Sequence, residues 1–105
     1  MKTSLIGLVV VLCAVACGSS PSGDCDKRSS DGTCIDWSGD GSLDNVESQC
    51  GSDWHDGSCS HADAVGGCKH SVNGLLATEW FYPPMYTAAQ AMQECNGANS
   101  QWVSP

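Results

Sequence analysis

Residues 33–50 (TCIDWSGDGSLDNVESQC) decide the fold, together with residues 78–95 (TEWFYPPMYTAAQAMQEC), which follow the same plan 45 positions later. At this offset Trp37 aligns with Tyr82 and Cys50 aligns with Cys95, without a gap. Each segment predicts a strand with alternating apolar residues, a turn, a short helix that ends at a cysteine, and a loop that leads to a tryptophan. We therefore expect two related halves.

Local signals place the helix starts and the turns. Capping-box spacing, in which a hydroxyl or carboxylate residue is followed three positions later by Gln or Glu, occurs at 87–90 and at 44–47. Glycine-containing pairs at 66–67 and 73–74 predict a hairpin between the halves. The predicted fold is a small disulfide-rich α+β domain, with a short antiparallel sheet and two short helices.

The cysteines indicate an oxidising compartment. Of the 8 cysteines, six lie in residues 25–105: Cys25, Cys34, Cys50, Cys59, Cys68 and Cys95. None of them shows the close pair spacing of a zinc site. An even number in a short exported domain predicts three disulfides.

The repeat selects one disulfide pattern among the 15 that six cysteines allow. Cys50 and Cys95 align, and Cys25 and Cys68 occupy nearly equivalent places before them. If equivalent cysteines pair alike, the bridges are Cys25–Cys50 and Cys68–Cys95, which leaves Cys34–Cys59.

The amino-terminal residues have the order of an export signal. Lys2 supplies a positive charge, residues 5–16 carry no charge, and small residues precede Cys17. The apolar run is shorter than the ~20 residues of a membrane span. It suits a cleavable signal peptide over residues 1–16.

The segment Ala14-Val15-Ala16-Cys17 resembles the lipobox of bacterial lipoproteins. The resemblance implies a lipid on Cys17 and, since Gly18 follows, the outer membrane of the cell envelope. Residues 17–24 would then be a flexible linker and residues 25–105 the cysteine-rich domain, which is similar to short, uncharacterised cysteine-rich lipoproteins of Gram-negative bacteria in its Thr33–Gly39 opening. The alternative is ordinary secretion, with Cys17 as a free thiol.

The acidic net charge of the chain limits the classes of molecule that it can bind. The chain has a net charge of −8, and beyond Cys17 its basic side chains are Lys27, Arg28 and Lys69. Such a surface repels phosphate backbones, so no nucleic-acid partner is expected. The expected partners are the membrane, through the lipid on Cys17, and an unknown protein or glycan. The aromatic-rich run 80–86 suggests either a docking patch or core packing.

Residues 36–47 resemble the calcium loop of EF-hands. The positions that supply oxygen ligands are occupied by Asp36, Ser38, Asp40, Ser42, Asp44 and Glu47. However, no helix is predicted before this segment, and the second half lacks the ligands. The favoured interpretation is an acidic turn before a helix, without metal or cofactor, and a calcium-binding surface module is the alternative.

No enzyme is predicted. His55, His61 and His70 are scattered through loop-like sequence, and cysteines in disulfides cannot act as nucleophiles. The sequence therefore favours a non-enzymatic, lipid-anchored envelope protein with a structural or binding role.

The lipobox makes a testable prediction. Cys17→Ser removes the thiol that would receive the lipid, so radiolabelled fatty acid should enter the wild-type protein and not this variant. Cys13→Ser, which changes a cysteine inside the signal, should leave labelling intact. Unlabelled wild-type protein would contradict the anchor.

Overall fold

A computed structural model describes residues 21–105, and its framework is one antiparallel sheet of six strands. The strands are β1 (Ser22–Lys27), β2 (Thr33–Gly39), β3 (Trp54–His55), β4 (Gly66–Val72), β5 (Leu75–Phe81) and β6 (Gln101–Val103). They lie in the order β3-β1-β2-β5-β4-β6. Two seven-residue helices, α1 (Asp44–Cys50) and α2 (Ala88–Glu94), accompany the sheet. The predicted elements are present, but with so little helix the α+β domain is mainly β.

The two halves are related by an approximate twofold axis through the centre of the sheet. One row of directly paired residues crosses all six strands, in the order Trp54, Cys25, Ile35, Glu79, Cys68 and Trp102. The row is symmetric in its cysteines and tryptophans about the Ile35–Glu79 pair. Each half is therefore a hairpin, a helix and a short edge strand.

The strand register corrects the predicted alignment by one residue. Ile35 is equivalent to Glu79, an offset of 44, whereas the sequence repeat aligns it with Trp80. The second hairpin extends further and closes at Asn73 and Gly74, which both have positive φ (52° and 82°). This two-residue turn is of the type that matches strand twist. The longer hairpin places one more residue between Cys68 and Glu79 than between Cys25 and Ile35.

Each helix is attached to its own hairpin by a disulfide. Cys25–Cys50 joins β1 to α1, and Cys68–Cys95 joins β4 to the end of α2. Cys25 and Cys68 point to the same face of the sheet because they belong to one cross-strand row. Both helices therefore lie on this face, the helix face.

The third bridge, Cys34–Cys59, attaches residues 56–65 to the opposite face, the loop face. Cys34 and Trp80 are paired neighbours on this face, and both are buried together with Cys59, Ala64 and Tyr82. The three bridges are the pairs that the sequence repeat predicts.

The edge tryptophans cover glycines. Trp54 packs on Gly23 and Trp102 packs on Gly66, so closely that a Cβ at either glycine would collide with the indole ring. Gly66 and Gly67 therefore belong to β4 and not to a hairpin turn. The predicted capping box at Thr87 and Gln90 is present.

Two boundaries differ from the sequence prediction. The residue that precedes α1 is Leu43, and its side chain makes no capping hydrogen bond to the helix. The predicted capping box at 44–47 therefore does not form. Strand β1 already begins at Ser22, within the predicted 17–24 linker. The predicted signal peptide and Cys17 lie outside the described residues. Within residues 21–105, neither helix has the length or the apolar character to span a bilayer.

Candidate binding groove

Asp36, the first residue of the predicted calcium loop, holds residues 56–65 against the sheet. Its Oδ1 accepts a hydrogen bond from the Cys59 backbone N–H at 2.7 Å. Its Oδ2 accepts one from the Trp80 indole N–H at 3.1 Å and lies 3.4 Å from His61 Nε2. The His61 ring in turn stacks on Trp80, with 4.1 Å between centroids. Both carboxylate oxygens are thus engaged by the protein itself.

The residues of the alternative calcium loop do not converge in the structure. Asp36 points to the loop face, whereas Glu47 is exposed on α1, on the helix face. Asp40 and Asp44 are exposed, and the Ser42 hydroxyl accepts a hydrogen bond from the Asp44 N–H at 3.2 Å. Ser38 remains in β2. Strand β2 thus continues through the first ligand position of the EF-hand-like segment.

A second Asp–His pair lies beside the Cys34–Cys59 bridge. Asp24 is buried, with a carboxylate oxygen 3.7 Å from Cys34 Sγ and 3.8 Å from His55 Nδ1. Burial raises the pKa of Asp24, and the nearby His55 partly offsets this effect. Among residues 21–105, Asp24, Cys34 and Cys59 are the one group of potential metal ligands that converges, but both sulfurs are in the disulfide.

The aromatic run does not form an exposed docking patch. Trp80, Phe81 and Tyr82 are all buried, at 4%, 1% and 4% exposure. Phe81 packs edge-on against Tyr86, with ring centroids 4.8 Å apart. The Tyr82 hydroxyl donates to the Ser60 carbonyl at 2.6 Å, and burial raises the pKa of Tyr82 to about 12. Core packing therefore accounts for the run, and Met85 is its exposed large apolar residue.

A groove opens instead on the helix face of the first half. It is a cavity of about 300 Å³ between α1 and the β4–β5 hairpin, and its lining residues are Trp37, Ser42, Asn45, Val46, Gln49, Val72, Asn73 and Leu75. A second cavity of about 180 Å³ shares Trp37, Val46 and Gln49 and extends toward Ile35 and Lys27. Trp37 and α1 thus form the centre of one continuous surface.

The groove exists because the two halves fill equivalent space differently. In the second half Phe81 and Ala91 are buried at 1% and 0% exposure, with Tyr86 packed against Phe81. At the same offset of 44, Trp37 is the counterpart of Phe81, yet Trp37 and Val46 are only half-buried. Residues 39–42, which precede α1, are Gly, Asp, Gly and Ser and offer no large side chain corresponding to Tyr86. Trp37 therefore lines the groove of the first half, whereas the corresponding cleft of the second half, about 540 Å³ beside Met85 and Tyr86, is not lined by Phe81.

The lining of the 300 Å³ cavity is uncharged. It combines the Trp37 ring and aliphatic side chains with amide and hydroxyl groups of Ser42, Asn45, Gln49 and Asn73. Amides and hydroxyls can both donate and accept hydrogen bonds. Such a mixture of apolar wall and a few polar groups is typical of small-molecule sites. The sequence analysis missed this site, although the absence of a bulky residue at 39–42 is visible in the repeat.

Comparisons with known proteins supply no relative for this chain. No family model matches it, and the comparisons with curated proteins and with solved structures return no match. The function is therefore argued from the groove and from the predicted anchor.

Asp36→Asn tests whether this carboxylate is structural or binds calcium. The variant loses charge-assisted hydrogen bonds to groups on the covering loop, so we expect the free energy of unfolding to fall by about 1–3 kcal/mol. The loss should be equal in chelator, calcium and magnesium, as measured by thermal unfolding.

The matched control is Asp40→Asn, at an exposed position of the same predicted calcium loop. This variant should have the melting temperature of the wild type, within error, in chelator, in calcium and in magnesium. A calcium-specific stabilisation of the wild type that both variants abolish would restore the calcium interpretation.

Proposed function

We propose that this chain is a non-enzymatic binding protein of the bacterial cell envelope, attached to the outer membrane by a lipid on Cys17. The lipobox-like segment supports the anchor, and the acidic, disulfide-bonded domain is suited to an exported protein. Both Asp–His pairs lie beside the Cys34–Cys59 disulfide, and Asp36 and His61 hold residues 56–65 on the loop face. Their surroundings favour a structural role over catalysis.

The observation that carries the binding role is the open groove at Trp37. In the other half, Phe81, the counterpart of Trp37, is buried against Tyr86 and Ala91 and does not line the cleft on that side. An aromatic ring left half-exposed beside uncharged polar side chains is a favourable ligand surface, because aromatic anchors contribute much of the binding energy at interfaces. A solely structural protein would gain stability from burying Trp37 as it buries Phe81.

The lining favours a neutral glycan as the ligand. Sugar hydroxyls both donate and accept hydrogen bonds, which suits the amides of Asn45, Gln49 and Asn73. The apolar face of a sugar ring can lie on the Trp37 indole. The exposed acids nearby, Asp40 and Asp44, disfavour anionic ligands. A calcium-dependent module is not proposed, since Asp36 is committed to the loop-face cover.

A binding experiment with neutral envelope glycan fragments tests this function. The purified lipoprotein in detergent is titrated with the fragments while tryptophan fluorescence and amide NMR shifts are recorded. We expect shifts in residues 42–49 and 72–75. Trp37→Ala should weaken binding by more than about tenfold, since loss of an interface aromatic commonly costs 2 kcal/mol or more.

Two glutamine variants provide a matched comparison. Gln49→Ala removes an amide from the groove, and Gln93→Ala removes one from α2, where it lines the cleft beside Met85 and Tyr86. The first should weaken binding and the second should not. Binding that depends on Gln93, or binding only to peptides and to no glycan, would contradict the proposed ligand.

A further inference from the structure

We propose that one end of the sheet lies against the lipid headgroups, with the tip of the β4–β5 hairpin in contact with the bilayer. This end, the linker end, is where β1 begins at Ser22. The inference rests on the proposed anchoring at Cys17 and goes beyond it. A lipid anchor fixes the point of attachment, but it does not by itself determine which surface of the domain faces the membrane.

The covalent connection to the lipid is short. Five residue steps separate Cys17 from Ser22, the first residue of β1. They span at most about 18 Å when fully extended. The polar layer of a bilayer is about 5–8 Å deep on each side. Ser22 therefore stays near the headgroups.

The hairpin tip, at Asn73 and Gly74, lies just beyond the row of the sheet that contains Ser22. Direct pairing across β1, β2, β5 and β4 connects Ser22, Ser38, Leu76 and Ser71. Neighbouring strands are about 4.8 Å apart, so Leu76 is about 10 Å from the point where the linker enters the sheet. All four side chains in this row are uncharged. The charged residues of the loop face begin in the row two residues further in, at Asp24, Asp36 and Lys69.

The linker end also exposes large apolar side chains. Val72 is 36% exposed and Leu76 is 37% exposed, on either side of the Asn73-Gly74 turn. Each would lose apolar area to water at a headgroup boundary, which is favourable by roughly 25 cal/mol per Å². Met85 is exposed as well, at 50%, but it lies beside Gly32 at the opposite end of the sheet.

Charge defines the lipid surface that suits this end. Asp40 follows β2 and is exposed at the linker end. Lys27 and Arg28 lie at the opposite end and are paired with Asp53 at 2.9 Å and with Asp26 at 2.7 Å. Asp40 would therefore repel anionic headgroups, and the exposed Lys69 lies further in, in the same row as Asp24 and Asp36. The matching surface is zwitterionic.

Paramagnetic relaxation measures the orientation directly. The native lipoprotein is purified from membranes, its lipid is verified by mass spectrometry, and it is placed in phosphatidylcholine nanodiscs that contain a gadolinium-chelating lipid. The two ends of the sheet are separated by about 20 Å of strand, so amide relaxation at 71–76 should be enhanced at least about tenfold more than at 28–31.

Variants and lipid composition supply the controls. Leu76→Ser and Val72→Ser should each reduce the enhancement at the tip, whereas Met85→Ser, at the opposite end, should not. Anionic lipid at low salt should also reduce it. Equal enhancement at both ends, or a larger one at 28–31, would overturn the orientation while the anchor stands. A lipid-free Cys17 in the mass spectrum would overturn the anchor and the orientation with it.

Discussion

Covalent cross-linking to the sheet is the constraint on which the rest of this structure depends. Each of the three layers that cover the sheet, the two helices and residues 56–65, is attached by one disulfide. The bridges close loops of 25, 25 and 27 residues, and such loops contribute about 3–4 kcal/mol each in the chain-entropy account. Only Phe81 and Cys34 are fully buried among the larger side chains of residues 21–105. A core of this size needs covalent support.

With the cross-links in place, the duplicated plan allows the halves to diverge. In the second half, Phe81 is buried against Ala91 and Tyr86. The first half keeps the bridge between its hairpin and its helix, so it does not need a closed core to hold α1 in position. Trp37 can then remain half-exposed. The hydrogen bonds of Asp36 hold residues 56–65 on the loop face. The groove lies on the other side of the sheet, so it does not depend on these bonds.

The sequence predicted the features that depend on spacing and on local geometry. The repeat predicted the three cysteine pairs found in the structure, and the Thr87–Gln90 capping box and the Asn73-Gly74 turn are present as expected. The strand alignment was wrong by one residue, because hairpin length is set by long-range pairing. The EF-hand-like spacing of residues 36–47 gave no sign of the observed partners of Asp36, because Cys59 and Trp80 are 23 and 44 residues away. The groove becomes visible only when both halves are compared in three dimensions.

The disulfide connectivity tests the central claim most directly. Trypsin and Asp-N together cleave between every neighbouring pair of the six cysteines, so each bridge can be read from peptides of the non-reduced protein. The account predicts Cys25–Cys50, Cys34–Cys59 and Cys68–Cys95 as the linked pairs. Detection of Cys25 joined to Cys34, or of any bridge between Cys50 and Cys95, would contradict a fold in which each hairpin holds its own helix.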